Sequence, residues 1–271
     1  MTEPSPFPPT APPRRAVSAG LYLVATPIGN LRDITLRALD VLAAADLVLA
    51  EDTRVTARLM SAYGLKTPLL RCDDHTSAQA AIKAVQAVRD DQVVALVSDA
   101  GTPMVSDPGY VVAREMISAG LPVHPIPGAS SLLAALTLAG LPADQVLFCG
   151  FLPPKSGARK TRLQALTTPG QTLVFFESGP RLRASLTDMA EVLGDRPAAV
   201  AREITKLYET CVRGPLSQLA ADPALDAPRG EIVVVVGPGQ AIAATAEDAD
   251  TALTEALGRL APGEAASEVS Q

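Results

Sequence analysis

Four short loops rich in glycine, proline and small polar residues each follow an apolar run of the sequence. In the most distinctive one, residues 98–103 (SDAGTP) come directly after the apolar run VALV. Asp99 at a strand end needs hydrogen-bond partners, and Gly101 has no side chain to keep a ligand away from the backbone. Such a loop favours the binding of a small molecule. The other three loops are residues 25–30 (ATPIGN), 51–54 (EDTR) and 127–131 (PGASS).

The chemistry of these loops narrows the kind of ligand. A Gly-x-Gly-x-x-Gly sequence would indicate a dinucleotide at a helix N-terminus, but Gly29 stands alone after the first run. The sequence also lacks a Walker-type phosphate loop. Backbone amides, carbonyls and small hydroxyls remain, and they suit a compact ligand with an amino-acid end and a nucleoside end. A tight turn before a helix is the alternative explanation for Gly128.

Composition excludes several classes of protein. The 271 residues carry a formal net charge of −6, contain no tryptophan and are 3% aromatic, which disfavours a strongly basic nucleic-acid coat and extensive base stacking. Three widely spaced cysteines and two histidines indicate reduced thiols and no metal site. No apolar stretch reaches the ~18 residues needed to span a bilayer. We therefore expect a cytoplasmic protein without a membrane segment.

Apolar runs and helical patterns alternate along the chain, which predicts an α/β fold. Runs without polar alternation indicate strands covered on both faces, as in parallel sheets. Ligands of open parallel sheets bind beyond the carboxyl ends of the strands, so the four loops should share one rim. The predicted strands are 20–25, 46–50, 92–97, 122–126, 146–150, 171–176, 197–201 and 231–236, and the predicted helices include 34–45, 77–90 and 180–193.

A change of pattern near residues 140–146 predicts two α/β domains with a cleft between them. We expect an N-terminal α/β domain over residues 19–142 and a C-terminal α/β domain over residues 143–238. The proline-rich residues 1–18 are expected to be a disordered tail. The alanine-rich residues 239–271 are expected to be a partly helical tail.

Six longer motifs resemble the tetrapyrrole methylase superfamily of S-adenosylmethionine-dependent methyltransferases. Within it, the resemblance is to a branch that methylates the ribose 2′-hydroxyl of a cytidine in the decoding region of bacterial 16S ribosomal RNA. Together the motifs span residues 21–209, which is most of the chain. They are LYLVATPIGNLRDITLRAL (21–39), AEDTR (50–54), SDAGTPMVSDPG (98–109), PIPGASSLLAAL (125–136), GFLPPKSGARKTRL (150–163) and AREITKLYE (201–209).

The resemblance implies two α/β domains, S-adenosylmethionine in the cleft, 16S ribosomal RNA or the small ribosomal subunit as substrate, and a homodimer. Two alternatives remain: a methyltransferase of the same superfamily that acts on a precorrin-type tetrapyrrole, and a non-catalytic sensor that binds the cofactor and recruits a partner. The resemblance implies cofactor contacts by Thr26, Pro27, Gly29, Asn30, Asp99, Ala100, Gly101, Thr102, Pro103, Gly128 and Ser130.

Methyl transfer to a ribose needs help at the hydroxyl. A ribose hydroxyl is a poor nucleophile near neutral pH, so a nearby base or cation would assist the reaction. Lys206 and His75 are the preferred candidates, with Glu203 and Asp52 as further ones. Burial can lower the pKa of a lysine enough for it to accept a proton. The alternative roles are a salt bridge beside the cleft for Lys206 and a loop cap for His75.

A local concentration of basic residues predicts contact with RNA phosphates. Residues 145–176 contain four basic residues and no acidic one, a reversal in a chain of net charge −6. Such a patch would hold phosphates without reading the base sequence. A solvated helix face is the alternative. The four residues are Lys155, Arg159, Lys160 and Arg162.

Overall fold

The computed structural model describes residues 17–106, 108–166, 170–239, 254 and 256–259. The predicted tail over residues 1–18 lies outside these ranges except for its last two residues. The predicted tail over 239–271 lies outside them except for residue 239 and the short segments 254 and 256–259. In the described part of the chain, no helix combines the length and apolar character that a membrane span requires.

The first half of the chain forms a five-stranded parallel sheet, as expected. Its spatial order is β3-β2-β4-β1-β5, and every neighbouring pair is parallel. All residues of the central strand β4 are buried, because helices cover both faces of the sheet. The strands are β1 (Gly20–Val24), β2 (Leu47–Ala50), β3 (Leu69–Arg71), β4 (Val93–Val97) and β5 (Val123–Ile126).

Helices pack on the two faces of this sheet in pairs. Alternate residues along the strands face the two sides, so each face has its own apolar cluster. Helices α1 (Leu36–Ala44) and α2 (Thr53–Ala62) cover one face, and α3 (Ser77–Arg89) and α4 (Tyr110–Ser118) cover the other. The Thr35 hydroxyl caps α1 by accepting a hydrogen bond from the Ala38 N–H.

The second half forms a five-stranded sheet that is mostly antiparallel, so the expected parallel arrangement is wrong here. Its order is β6-β7-β10-β8-β9, and only β6 and β7 run parallel. Apolar runs report burial on both faces, and burial by itself does not fix the direction of a strand. The strands are β6 (Val146–Phe151), β7 (Thr172–Ser178), β8 (Pro197–Arg202), β9 (Thr210–Pro215) and β10 (Glu231–Val236).

The short connection between β8 and β9 explains part of this difference. Only residues 203–209 separate the two strands, and a parallel crossover needs about a dozen residues or more. Strands β3 and β9, both at sheet edges, are not among the strands predicted from apolar runs. Helices α6 (Ser156–Gln164), α7 (Gly179–Leu193) and α8 (Leu216–Ala221) accompany this sheet, and α7 and α8 pack on one of its faces.

Helix α5 (Ser131–Ala139) joins the two sheets. It follows β5 of the first sheet, yet its buried Ala135 and Ala139 belong to one apolar cluster with Ala199 of β8 and Val233 of β10. The Ser130 hydroxyl caps its start, and Gly140 ends it in the left-handed conformation at φ 66°. The same cluster includes Ile28 from the loop after β1. The rim of the first sheet is therefore fixed against the second sheet by shared packing.

Candidate active site

The loops that follow β1 and β4 are bonded to each other at the rim of the first sheet. The Thr26 N–H donates to the Gly101 carbonyl at 2.9 Å, and the Gly101 N–H donates to the Thr26 carbonyl at 3.0 Å. Gly101 adopts φ 81°, and a Cβ there would lie 3.2 Å from the Ile28 side chain. Gly101 therefore forms a backbone bridge between the two loops, because its N–H and its carbonyl both hydrogen-bond to Thr26.

Further hydrogen bonds connect the other two loops to this bridge. The Asp99 carboxylate accepts from the Asp52 N–H at 3.0 Å, which ties the loop after β4 to the start of α2. The Thr102 hydroxyl donates to the Ala129 carbonyl at 3.3 Å, which ties it to the loop after β5. The four loops predicted from sequence therefore form one connected rim.

A cavity lies between this rim and the second sheet, and we call it the cleft cavity. It encloses about 760 Å³, its open mouth included. A smaller cavity of about 320 Å³ shares Ala100, Ser131 and Phe176 with it. The walls of the cleft cavity are largely apolar, with hydroxyl and carboxylate groups among them. The lining residues are Ile28, Ala100, Ser106, Ser131, Phe151, Phe176, Glu177, Ile204, Glu231, Ile232 and Val233.

A second cavity lies on the other side of the same two loops, and we call it the α2 cavity. It encloses about 650 Å³ and is bounded by the first turns of α2. Ile28 faces the cleft cavity, whereas Pro27 and Gly29 line the α2 cavity. The lining residues of the α2 cavity are Thr26, Pro27, Gly29, Leu31, Val55, Thr56, Arg58, Leu59, Ser98 and Asp99.

The residues predicted to contact the cofactor are divided between these spaces. Ala100 lines the cleft cavity, and Gly101, Thr102 and Ser130 line the smaller cavity beside it. Thr26, Pro27, Gly29 and Asp99 line the α2 cavity. The remaining three have structural contacts: Asn30 caps the 3₁₀ turn Leu31–Asp33, Pro103 is buried, and a Cβ on Gly128 would lie 3.0 Å from that of Ala25.

The structure does not support Lys206 as a proton acceptor. Its Nζ lies 2.8 Å from Glu203 Oε1 and 3.0 Å from Glu231 Oε2. Burial acts to lower the pKa of Lys206, but the hydrogen bonds to the two carboxylates outweigh it, so the pKa is raised above its ordinary value. Lys206 is therefore a cation near neutral pH, and the predicted lowering of its pKa is wrong.

Lys206 nevertheless lies beside the rim of the first sheet. A Cβ on Gly29 would be 2.5 Å from Lys206 Cγ, so the lysine stem packs directly over the loop after β1. Glu203 adopts φ 52° and its carboxylate also accepts the Glu231 N–H at 3.0 Å. The pKa of Glu203 is lowered, chiefly by its hydrogen bond with Lys206. Lys206 therefore connects the carboxylates of Glu203 and Glu231, at the second sheet, to the loop after β1.

The other two candidate bases are held in turns. The hydrogen bonds and charge of Arg54 lower the pKa of Asp52, which also caps α2, so Asp52 is ionised at neutral pH and is a very weak base. His75 is exposed in the turn before α3, and its backbone N–H donates to Asp73 Oδ1 at 3.1 Å. The Asp73 carboxylate therefore caps this turn, and both proposed roles of the His75 side chain stay predictions.

Glu177 is a buried acid of the cleft wall that was not among the predicted site residues. Its side chain is fully buried at the end of β7, where Oε1 accepts the Ser178 N–H at 2.8 Å and Oε2 accepts the Ser185 hydroxyl at 2.5 Å. Arg181 forms an ion pair with it at 3.3 Å and donates to the Leu152 carbonyl. The available signal was an acidic residue at the end of an apolar run, TLVFFE.

Two of the four residues of the predicted basic patch form ion pairs with acidic residues of helix α7. Arg159 is buried and contacts Asp188 through Nε at 2.6 Å, and Lys160 Nζ lies 2.6 Å from Glu191. Arg159 as an RNA-binding residue is therefore wrong, because its guanidinium holds α6 to α7 from inside the protein. Lys155 and Arg162 remain exposed.

Neither a metal site nor a reactive thiol is found in the described ranges. They contain no group of three or more His, Cys, Asp or Glu side chains placed to hold a metal ion. Burial raises the pKa of Cys72 and of Cys149 to about 11, so both are thiols at neutral pH.

Comparison with known proteins places the chain among methyltransferases. A family model described as Tetrapyrrole (Corrin/Porphyrin) Methylases matches residues 20–220. A relative from Mesorhizobium japonicum, named ribosomal RNA small subunit methyltransferase I, is 51% identical over 261 residues, or 96% of this chain and 89% of the relative. Relatives of the same name are 47% identical in Neisseria meningitidis serogroup B, over 83% and 78% of the two chains, and 46% identical in Escherichia coli O157:H7, over 80% and 77%.

Solved structures share the same two-sheet fold. The crystal structure of uroporphyrin-III-C-methyltransferase from Thermus thermophilus matches with a TM-score of 0.57 and 25% identity, covering 81% of this chain and 94% of that one. The methyltransferase CobJ matches in fold with a TM-score of 0.59 and 20% identity, covering 84% and 96%.

Proposed function

Because the chain belongs to the tetrapyrrole (corrin/porphyrin) methylases, we propose that it is a methyltransferase that modifies small-subunit ribosomal RNA. The target is the ribose 2′-hydroxyl of a cytidine in the decoding region of 16S ribosomal RNA, and the methyl donor is S-adenosylmethionine. The observation that carries this proposal is the 51% identity, over 96% of the chain, to a relative named ribosomal RNA small subunit methyltransferase I.

The cleft cavity is where we place the cofactor. Its walls come from the loops after β1 and β4 on one side and from β7 and β10 of the second sheet on the other. Its apolar walls, including Ile28, Ile204 and Val233, suit a nucleoside, and its hydroxyls and carboxylates suit an amino-acid end. The residues present therefore fit S-adenosylmethionine, which when bound supplies a methyl group on a positively charged sulfur.

The protein's own contribution is the positioning of the partners and the exclusion of water. The bridge between Thr26 and Gly101 holds the two loops that separate the cavities. Lys206 supports the loop after β1 through its stem, while its ammonium group is fixed between Glu203 and Glu231. We assign Lys206 a positioning role on this loop and no part in accepting a proton.

The tetrapyrrole alternative has weaker support. The solved tetrapyrrole methyltransferase structures match at 25% identity or less, well below the 43–51% of the ribosomal RNA relatives. An identity of 20–21% supports the shared fold alone. Substrate class therefore follows the closer relatives in this proposal. We further propose that the protein acts in the cytoplasm, where ribosomal subunits are assembled, and as a homodimer, which sedimentation analysis will test.

The proposal is tested with small ribosomal subunits from a strain that lacks this modification. Incubation with the purified protein and methyl-labelled S-adenosylmethionine should transfer label to 16S RNA, and nucleoside mass analysis should find 2′-O-methylcytidine. Tight cofactor binding without transfer would favour the sensor alternative. Transfer to a precorrin-type tetrapyrrole and not to RNA would favour the tetrapyrrole methyltransferase alternative.

The location of the cofactor is tested by filling the cleft cavity. Ala100 is exposed and lines both this cavity and the smaller one beside it, so Ala100→Trp should fill the space without disturbing the core. We expect cofactor affinity, measured by calorimetry, to fall at least tenfold. Leu36→Trp, at a side chain of α1 that is 83% exposed, is the control and should bind normally. Equal affinities would remove the cleft cavity from the cofactor site.

A further inference from the structure

The two cavities on either side of the loops after β1 and β4 have different chemistry. The cleft cavity has carboxylates from the second sheet, whereas the α2 cavity is lined by the arginine Arg58 together with hydroxyl and carboxylate groups. Since both cavities are lined by residues of these two loops, ligands in the two cavities would contact neighbouring residues of the same loops. A methyl group cannot cross this partition, so a nucleotide in the α2 cavity would lie next to the methylated one.

Arg58 gives the α2 cavity its positive charge. It is exposed and lines the cavity, and within the described ranges no hydrogen bond or ion pair engages its guanidinium. Arg54, one helical turn earlier on the same face of α2, is held by Asp52 at 2.5 Å. Arg58 is therefore the guanidinium that remains for a ligand, and guanidinium groups match the oxygens of a phosphate.

The α2 cavity also offers hydrogen-bond acceptors and apolar walls. The Thr26 hydroxyl donates to the Ser98 carbonyl at 3.2 Å, and Asp99 uses one carboxylate oxygen for the Asp52 N–H, which leaves the other for a ligand. Leu31, Val55 and Leu59 supply apolar walls. A cation, apolar walls and acceptors together suit a nucleotide, with its phosphate at Arg58 and its hydroxyl or amino groups at the acceptors.

We propose that the α2 cavity receives a nucleotide of the RNA substrate and that Arg58 binds a phosphate of its backbone. This inference rests on the proposed function and concerns a nucleotide next to the methylated one. It also reassigns Thr26, Pro27, Gly29 and Asp99 from the cofactor to the substrate. The charge balance of the predicted basic patch agrees, because Asp188 and Glu191 of α7 neutralise two of its four basic residues.

The experiment compares Arg58→Gln with Arg89→Gln. Arg89 is exposed at the end of α3, on the opposite face of the sheet, so its variant has the same loss of charge away from the cavity. The probe is the small ribosomal subunit that lacks the modification, with its binding measured as a function of salt concentration. Arg58→Gln should raise the KM for subunits about tenfold and reduce the salt slope of binding by about 0.7–0.9. Arg58→Lys should recover part of the affinity.

The outcomes separate this inference from the proposed function. Cofactor affinity should be the same in wild type, Arg58→Gln and Arg89→Gln. If Arg58→Gln and Arg89→Gln bind subunits equally, or if Arg58→Gln loses cofactor affinity, the inference is overturned while methylation by the wild type stands. If the wild type binds subunits through Arg58 but transfers no methyl group, the inference stands and the proposed function fails.

Discussion

Neighbouring charges decide what a titratable side chain in this protein can do. Lys206 has the type and sequence context of a candidate base, but its ammonium group lies within 3.0 Å of two carboxylates. Its pKa is raised and that of Glu203 is lowered, so the charged forms of both residues are favoured. The cluster is therefore a charged support for the loop after β1.

Lys206→Met should lower stability in a pH-dependent way. Glu203 has a lowered pKa, so its contribution is present above the ordinary value of about 4.3 and is lost as pH falls through its folded pKa. Lys206 has a raised pKa, so its contribution is full below about 10.4 and is lost as pH rises through its folded pKa. The wild type should exceed the variant by about 1 kcal/mol between these limits, a small value because Glu231 is mostly exposed.

Urea unfolding over a series of pH values measures this difference. Lys66→Met, at an exposed lysine between α2 and β3, is the matched control and should show almost no pH dependence relative to the wild type. A stability difference for Lys206→Met that is the same at every pH would contradict the charged cluster.

The packing of one helix against another decides whether basic side chains are exposed to a ligand. Helix α6 has the sequence of an RNA-contacting helix, but its Arg159 faces α7 and its guanidinium donates to Asp188. The Ser156 hydroxyl donates to the same carboxylate at 3.1 Å, so Asp188 collects several donors of α6. This ion pair is a structural link between two helices.

Asp188→Ala should be strongly destabilising, because it leaves the Arg159 guanidinium buried without its partner. We expect a loss of about 3–5 kcal/mol in the free energy of unfolding. Lys155→Ala, at the exposed start of the same helix, should change it by less than about 0.5 kcal/mol. Urea denaturation of the two variants decides the point, and near-equal stabilities would show that Arg159 is not a structural residue.

The two sheets of the molecule pack against each other beside the cleft cavity. Helix α5 and Ile28 from the first half share an apolar cluster with β8 and β10 of the second, and the cleft cavity has walls from both halves. A ligand in that cavity therefore contacts both sheets at once. Binding energy should be distributed over both of them.

S-adenosylmethionine should raise the melting temperature in a single transition. At 100 times its Kd, the expected gain is about 2.7 kcal/mol. Hydrogen exchange should slow at the ends of β1 and β4 and also in β10, which forms part of the far wall. Protection confined to the first sheet would show that the cofactor does not bridge the two halves.

The sequence by itself determined the alternation of strands and helices, the parallel first sheet and the rim on which four loops meet. These follow from local patterns: buried runs, helical periodicity, and the rule that parallel strands present their carboxyl ends at one edge. The family resemblance also follows from contiguous motifs. Each of these features is encoded within short stretches of the chain, so no long-range contact is needed to read them.

The tertiary structure alone decided the antiparallel order of the second sheet, the burial of Arg159, the charge state of Lys206 and the division of the rim between two cavities. Asp188 is 29 residues from Arg159 in sequence, and Glu231 is 25 residues from Lys206. Burial, ion pairing and cavity shape depend on which distant segments pack together. A local pattern identifies a residue's chemistry, but its neighbours in space set what that chemistry does.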